Sequence, residues 1–581
     1  MSSRTTVGLM LSGVVLAAAA LWGTLGHQID VPTVFGDELI HWDASRSLAA
    51  GDGLRVRDGG YGFGPLYPAL LVPVHLLTAD DLRAYQWARL WNALLFALAA
   101  VPVYFLARRL LEPGWSLACA AFAVAIPSAL YTGFVMTEGA AYTACCLALL
   151  ALARCLERPT VAAQLLAILA IALATGVRLQ LAALGIALAV ALPLRFVLSR
   201  GLRLPRGADL ARVWPLLAVL GLATFALAVR IAIGNPLEGY GDLWRSYDAV
   251  EVARWSWRAV AGLAVYLALV PLVLAPAALA VLGSRARRGD PAAAASVALF
   301  LSVNVVLVLV VGAFSSTEYG IGFLHDRYLF YVAPLWIVLT AWWAANRVPL
   351  RPVWLAVGAT LTLVLLATLP PYLLNDDGGR RFDALASALP SELALRLASA
   401  SAPTRWSLVV AGAVAIAIAL VIALTRLPRW LVLVPVAVAF GLNAGFAWNA
   451  RIDAAHNQTF APMNPATTAW VDRAVPAGVS VATLAGGVPV ETRDALRLTE
   501  FFNATIGPAY DLVTGYAPTL SSTPVRVGRG GLIVAGGGRV GERWIVAPRD
   551  LELVGDVVAE GTVAGLRLWR VRLPLRVVEE P

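Results

Sequence analysis

The sequence predicts a polytopic α-helical membrane protein with about thirteen transmembrane helices, followed by a C-terminal α+β domain outside the membrane. Three observations carry this reading. Of 581 residues, 59% are hydrophobic and only 14% charged, with a mean hydropathy of +0.75. Soluble domains run at about 45–50% apolar and about 25% charged. Apolar stretches of about 20 residues, the length that crosses a hydrocarbon core, recur from residue 7 to residue 448. From Ala450 the character changes to short β-branched runs separated by glycine-rich turns. An ordinary soluble protein, a disordered chain, a collagen-like repeat and a disulfide-stapled secreted scaffold are excluded on composition.

In chain order the predicted spans are 7–25, 85–107, 115–133, 139–155, 160–176, 180–198, 212–232, 257–282, 292–313, 328–345, 352–370, 406–424 and 429–448. The first follows Arg4 as a signal peptide would, but with so many spans after it an uncleaved helix is the better reading. Leu66–Leu77 is apolar but short and interrupted by Pro68 and Pro73, which suits a re-entrant or interfacial piece. The predicted domains are 1–449, a membrane domain whose first outer loop is 26–84, and 450–581, the tail. In the tail, Val479–Thr483, Leu532–Ala535, Trp544–Val546 and Leu566–Val571 read as strands, with turns at Gly528–Gly531 and Gly536–Gly538.

Charge orients these spans. The chain carries a net charge of +9, contains no lysine, and all 45 basic residues are arginine. They sit in clusters between spans rather than in a patch for nucleic acid. Arg108/Arg109, Arg154/Arg158, Arg285/Arg287/Arg288, Arg347/Arg351 and Arg426/Arg429 fall on the amino-terminal side, as do Arg195, Arg200, Arg203, Arg206 and Arg212. The short opposite loops are nearly free of them. The positive-inside rule therefore predicts a cytoplasmic amino terminus and an extracytoplasmic tail. The loops 26–84, 233–256, 314–327 and 371–405 then lie outside. The excess of arginine and alanine points to a GC-rich bacterial genome, hence a multi-pass protein of a bacterial plasma membrane. The four cysteines (Cys119, Cys145, Cys146, Cys155) fall in or beside apolar stretches and imply no disulfide framework. His27, His41, His75, His325 and His456 are scattered, with no metal-ligand spacing.

Chemistry is concentrated on the outer side. Asp37 and Glu38, a little beyond the first span, could serve as a general base with an orienting or metal-binding partner; a solvated acidic pair is the plain alternative. In Gly60-Tyr61-Gly62-Phe63-Gly64-Pro65-Leu66-Tyr67-Pro68, Tyr61 and Tyr67 could stack on a sugar or seat the chain at the interface. His325-Asp326-Arg327-Tyr328 opens a late span, and the planar guanidinium of Arg327 suits a phosphate as well as interfacial anchoring. Glu138 and Arg178 stand near outer helix ends, where ionisable groups are costly and tend to mark function. No P-loop and no GxSxG nucleophile elbow occur.

Together these residues resemble the GT-C superfamily of integral-membrane glycosyltransferases. The likeness is greatest to the bacterial group of protein mannosyltransferases and lipid A aminoarabinose transferases. The carriers are Asp37-Glu38, the Gly64–Pro68 turn, Thr137-Glu138, Gly176-Val177-Arg178 and His325-Asp326-Arg327-Tyr328-Leu329, spread over most of residues 1–350. In the tail, Thr499-Glu500-Phe501-Phe502-Asn503 and Leu566–Val571 are similar to actinobacterial members. The resemblance implies a GT-C-like fold and transfer of a sugar from a polyprenyl-phosphate donor to an acceptor hydroxyl on the outer face, usually with inversion. It implies Asp37 as base with Glu38 in support. Donor phosphate would fall to Arg327, with His325 and Arg178 behind it. Asp326, Glu138, Tyr61 and Tyr67 would contact substrate. A divalent metal is possible but its ligands cannot be placed. The partners are membrane lipid, the lipid-linked donor, and a glycan, glycolipid or protein acceptor in cell-envelope glycan assembly, with no nucleic acid. A transporter or flippase of a lipid-linked saccharide is the main alternative, and a non-catalytic scaffold binding cell-wall glycan is a third. The large outer loops and tail, and the lack of an internal repeat, argue against transport.

Overall fold

The computed structural model describes residues 3–29, 36–57, 59–200, 213–219, 221–222, 229, 247–317, 320, 322–374, 385, 388–400, 403–425, 427–456, 465–485, 490–512, 522–535, 538–561 and 565–578. The longer helices are α1 (Ser3–His27), α2 (Gly36–Ala50), α3 (Leu66–Leu77), α4 (Asp81–Ala97), α5 (Ala100–Ala107), α6 (Pro113–Ala123), α7 (Glu138–Glu157), α8 (Val161–Val177) and α9 (Ala183–Arg200). They continue with α10 (Ala249–Tyr266), α11 (Val270–Arg287), α12 (Pro291–Ser315), α13 (Ala333–Ala345), α14 (Pro352–Thr368), α15 (Ala388–Ala398), α16 (Arg405–Leu424), α17 (Leu433–His456) and α18 (Val490–Phe502). The chain forms two compact units. One comprises Met1–Trp22, Ala93–Tyr131 and Glu138–Ala450; the other comprises Gly23–Asn92, Thr132–Thr137 and Arg451–Pro581.

The first unit is helical. Among the described residues, eight helices are long and apolar enough to cross a membrane, and nine if the bent pair Pro113–Ala123 and Pro127–Gly133 counts as one span. The stretches read as spans at 160–176 and 352–370 form shorter apolar helices, α8 and α14, and the one at 328–345 runs as an apolar helix over Phe330–Ala345. The span expected at 212–232 falls largely outside the described residues.

One expectation is corrected: 257–282 is two helices, α10 and α11, rather than one span. A continuous helix would need the N–H of residue 271 to bond the carbonyl of Leu267, and Pro271 has none. Ala268 and Leu269 turn the chain with φ of 63° and 64°, and Pro271 then sits in the first turn of α11, where its missing donor costs nothing. Helices of this unit close on one another at glycines. A Cβ on Gly358 of α14 would lie 2.3 Å from the Val273 carbonyl of α11, and one on Gly312 of α12 would lie 2.8 Å from the Ser256 backbone nitrogen of α10. Small residues at such crossings let backbones approach where lipid supplies no hydrophobic force between helices.

The second unit holds a hairpin, β1 (Arg55–Val56) with β2 (Gly59–Gly60), and an eight-stranded sheet. Its strands are β3 (Val481–Ala485), β4 (Ile506–Asp511), β5 (Thr523–Val527), β6 (Ile533–Ala535), β7 (Gly538–Arg539), β8 (Trp544–Pro548), β9 (Gly555–Glu560) and β10 (Leu566–Val571). The order is β7-β6-β5-β4-β3-β8-β10-β9. β3 runs parallel to both β4 and β8, and α18 makes the crossover from β3 to β4 that a parallel pair requires. All four runs read as strands from sequence contribute residues to this sheet. Alternation places Leu484, Ile533, Ile545 and Trp569 in one apolar core. The Gly528–Gly531 turn needs its glycines: Gly530 and Gly531 have φ of 65° and 70°. α3 has 12 residues and so spans about 18 Å at a helical rise of 1.5 Å per residue, short of the roughly 30 Å of a hydrocarbon core.

Gly358→Ala forces α14 away from α11 and is expected to cost about 1–3 kcal/mol, the range for overpacking, read as a lower unfolding temperature in detergent. Gly185→Ala, where a Cβ meets nothing within 4 Å, serves as the control and should be neutral or slightly stabilising.

Candidate functional site

In the helical unit, three side chains singled out from sequence come together. Glu138 opens α7, where the helix dipole favours a carboxylate, and it is fully buried. α8 ends at Arg178, whose backbone turns extended (φ −146°, ψ 116°) after a last bond to the Ala174 carbonyl. Arg327 stands in the single 3-10 turn Asp326–Tyr328. Oε1 of Glu138 accepts from Arg178 Nη1 at 2.8 Å and from Arg327 Nε. Both guanidiniums lie over the Tyr328 ring, at 5.1 and 5.6 Å from its centroid, and Arg327 also lies 6.0 Å from that of Tyr131. Gln180 fixes the arrangement: its Oε1 accepts from Arg178 Nε at 3.3 Å and its Nε2 donates to the Tyr328 carbonyl at 3.1 Å.

Two arginines share one carboxylate here, and both keep their charge because arginine cannot shed its proton. Aromatic faces favour such cations, and the paired N–H donors of a guanidinium suit a phosphate. Asp326 and His325 are placed differently. Asp326 Oδ1 accepts the Leu385 N–H at 3.0 Å; His325 bonds the Gly320 carbonyl through Nε2 at 2.9 Å, with its ring packed against Phe314 and Tyr328. These bonds shape the turn that presents Arg327.

The second unit holds the other candidates, on and around α2. Asp37 and Glu38 occupy the first turn of α2, where the dipole again favours negative charge. From Glu38 to Ser45 α2 is buried on every side, with Glu38, His41, Trp42 and Ser45 one turn apart along one stripe. Glu38 is fully buried, and its Oε1 accepts the Val135 N–H at 2.8 Å. Asp37, one turn before His41, is partly exposed. The acidic pair therefore divides into a fully buried carboxylate and a partly exposed one.

His41 bonds Tyr61 between Nδ1 and the hydroxyl at 2.9 Å and meets the rings of Tyr61, Phe63 and Tyr67 edge-on or nearly so. Tyr67 is held from behind by Asn92, which in turn donates to the Phe134 carbonyl at 2.8 Å. Tyr61 and Tyr67 are thus brought together by a histidine that the sequence reading had counted as scattered. Asp43, Arg46, Arg57 and Glu500 were also missed. Asp43 Oδ1 accepts from Arg46 Nη2 at 2.7 Å, and Arg57 grips Glu500 with Nε at 2.5 Å and Nη2 at 2.7 Å. The one signal for Glu500 was its place in the Thr499–Asn503 motif. Burial, opposed by Arg46 and reinforced by the charge of Glu500, raises the Asp43 carboxyl from 3.8 to about 7. Among the described residues no three His, Cys, Asp or Glu side chains gather as a metal site would require.

Over 98% of each chain the structure is similar to the crystal structure of ArnT from Cupriavidus metallidurans in the apo state, with a TM-score of 0.52 and 16% sequence identity. The crystal structure of that ArnT bound to undecaprenyl phosphate matches over the same shares at a TM-score of 0.48 and 16% identity. The arabinosyltransferase EmbB from Mycobacterium smegmatis matches over 77% of this chain and 40% of its own, at 0.38 and 16%. No family model matches the sequence, and no curated protein matches it.

Two outcomes follow from these geometries. Glu138→Ala leaves two buried guanidiniums without the carboxylate they share and is expected to cost about 3–5 kcal/mol, measured as loss of thermal stability in detergent. The second concerns Asp43, which takes up a proton on folding because its folded value lies above its unfolded one. Between pH 4 and pH 7 the unfolded chain is ionised there while the folded chain is not. Its contribution to stability therefore falls as pH rises through that window and is level above it. Asp43→Asn should flatten the dependence of unfolding temperature on pH between 4 and 7.

Proposed function

We propose that this protein is a glycosyltransferase that moves a sugar from a polyprenyl-phosphate donor to an acceptor hydroxyl, with inversion, on the outer face of a bacterial plasma membrane. In this reading the amino terminus is cytoplasmic, the C-terminal region is extracytoplasmic, and the product belongs to cell-envelope glycan assembly. The observation that carries it is the pair of buried arginines sharing Glu138. ArnT, whose fold the chain shares, has been crystallised with undecaprenyl phosphate, a lipid phosphate of the class this cluster would take.

The chemistry follows from the parts. A hydroxyl is a weak nucleophile at neutral pH, and a carboxylate within hydrogen-bond reach assists it by accepting its proton. Asp37 takes that role, while Glu38, bonded to the Val135 N–H, holds the start of α2. The acceptor oxygen bonds to the anomeric carbon as the bond from that carbon to the phosphate oxygen breaks. The departing lipid phosphate gains charge, which Arg327 and Arg178 stabilise from fixed positions. Glu138 orients the two guanidiniums, and His325 and Asp326 set the turn that carries Arg327. Tyr61 and Tyr67, arranged around His41, offer ring faces to a sugar.

The test uses purified protein in lipid, radiolabelled polyprenyl-phosphate sugars and cell-envelope extract. Wild type should transfer label, and Asp37→Asn should abolish transfer while remaining folded. Arg327→Ala should weaken donor binding by about tenfold or more, the loss of one charge-assisted contact. Turnover undiminished in Asp37→Asn would remove Asp37 as base; unchanged donor affinity in Arg327→Ala would remove the phosphate role.

A further inference from the structure

The tail motif Thr499-Glu500-Phe501-Phe502-Asn503 has no part in the chemistry above, yet its side chains are fully engaged within the second unit. Asn503 locks the end of α18 into the tail: its Oδ1 accepts the N–H groups of Val471 and Asp472, both at 3.0 Å, and its Nδ2 donates to the carbonyls of Thr468 and Thr499, both at 2.7 Å. Thr499 turns its hydroxyl back onto the Ala495 carbonyl at 2.8 Å.

The residues between them grip the segment that carries the acidic pair. Phe501 stacks on Trp42 of α2 at 4.7 Å between centroids and 12° between planes, and its edge-on partner is Tyr85 at 5.4 Å. Trp42 is completely buried in that contact. Glu500, itself 2% exposed, takes both arms of Arg57, the residue that follows the β1 strand after α2. Arg46 of α2 donates to the Phe501 carbonyl at 3.4 Å while pairing with Asp43 at 2.7 Å and approaching Asp81 at 3.7 Å. α2 is thus held at Trp42, at Arg46 and beyond its end at Arg57 by two consecutive tail residues. Trp42 is one turn from Glu38 on the same face, so a displacement at Trp42 is carried directly to the first turn.

We infer that Glu500 and Phe501 are positioning residues: they clamp α2 from the tail and so place the carboxylate of Asp37, which makes the C-terminal region part of the transferase. This rests on the reading of Asp37 as base. Near-attack geometry tolerates little error, and a misplacement of about 1 Å can cost roughly a hundredfold in rate.

The experiment uses the full chain in lipid, with Glu500→Ala, Glu500→Gln and Phe501→Ala, and the charge swap combining Arg57→Glu with Glu500→Arg. Two readouts are taken: amide hydrogen exchange along α2, and kcat and KM for a radiolabelled polyprenyl-phosphate sugar. The alanine variants should speed exchange in α2 and lower kcat by about tenfold or more, with donor KM within about twofold, since donor phosphate is assigned to Arg178 and Arg327. The swap should recover both readouts relative to either single change. Glu560→Ala, which removes an exposed partner of Arg549 and Arg567 on β9, should behave as wild type. Unchanged exchange in α2, or unchanged kcat once α2 has loosened, overturns the clamp. Where an alanine variant loses protection throughout the chain, Glu500→Gln and the swap decide, and a swap no better than the singles overturns it. A wild type that transfers no sugar overturns the base reading and the proposal with it, and wild-type turnover separates that failure from failure of the clamp alone.

Discussion

A guanidinium taken out of water must meet fixed negative charge or carbonyl oxygen, and unlike a lysine or histidine it cannot escape by losing its proton. Much of the architecture answers this constraint. Arg178 and Arg327 converge on Glu138, which brings the end of α8 and the 326–328 turn to the start of α7. Arg89, on α4, gives Nη1 to the carbonyls of Gly26 and Ile29, so the end of α1 is capped by a residue sixty positions away. Arg57 closes on Glu500 and Arg109 on Glu157. Each pair joins elements that apolar packing alone would let slide, because hydrophobic burial has no direction.

The two clusters solve the constraint to different ends. Around Glu138 two guanidiniums meet one carboxylate and lie against aromatic faces. Around α2, Asp43, Asp81 and Glu500 face Arg46 and Arg57, and burial leaves Asp43 reluctant to ionise. The first arrangement is suited to receive an anion; the second is suited to hold pieces of chain together.

The helical class, most apolar segments and the strands of the tail were legible from residue pattern, since hydrophobic length and alternation are local properties. Glu138, Arg178 and Arg327 were each conspicuous as ionisable residues near apolar helix ends, but that they meet was not legible, since no local pattern joins them. The break at Pro271 was written in the sequence and passed over: mean apolarity across 257–282 concealed a single missing donor. The clamp on α2 was beyond such reading. Arg57 and Glu500 are 443 positions apart, and no periodicity links them. His41 was visible as a residue but not as a centre, because the rings around it come from a loop whose course glycine and proline set only in three dimensions.

The discontinuous make-up of the second unit has a consequence for biogenesis. The helix carrying Asp37 leaves the ribosome early, whereas Glu500 and Phe501, which grip it, come much later. At a synthesis rate of about 5–20 residues per second, Arg57 waits roughly 20–90 s for Glu500. During that interval Trp42 has His75 and Tyr85 beside it but not Phe501, while the intervening helices enter the bilayer. Completion of the acid-bearing segment is thereby deferred until translation ends, so a truncated chain would carry every membrane helix and still lack a finished first loop.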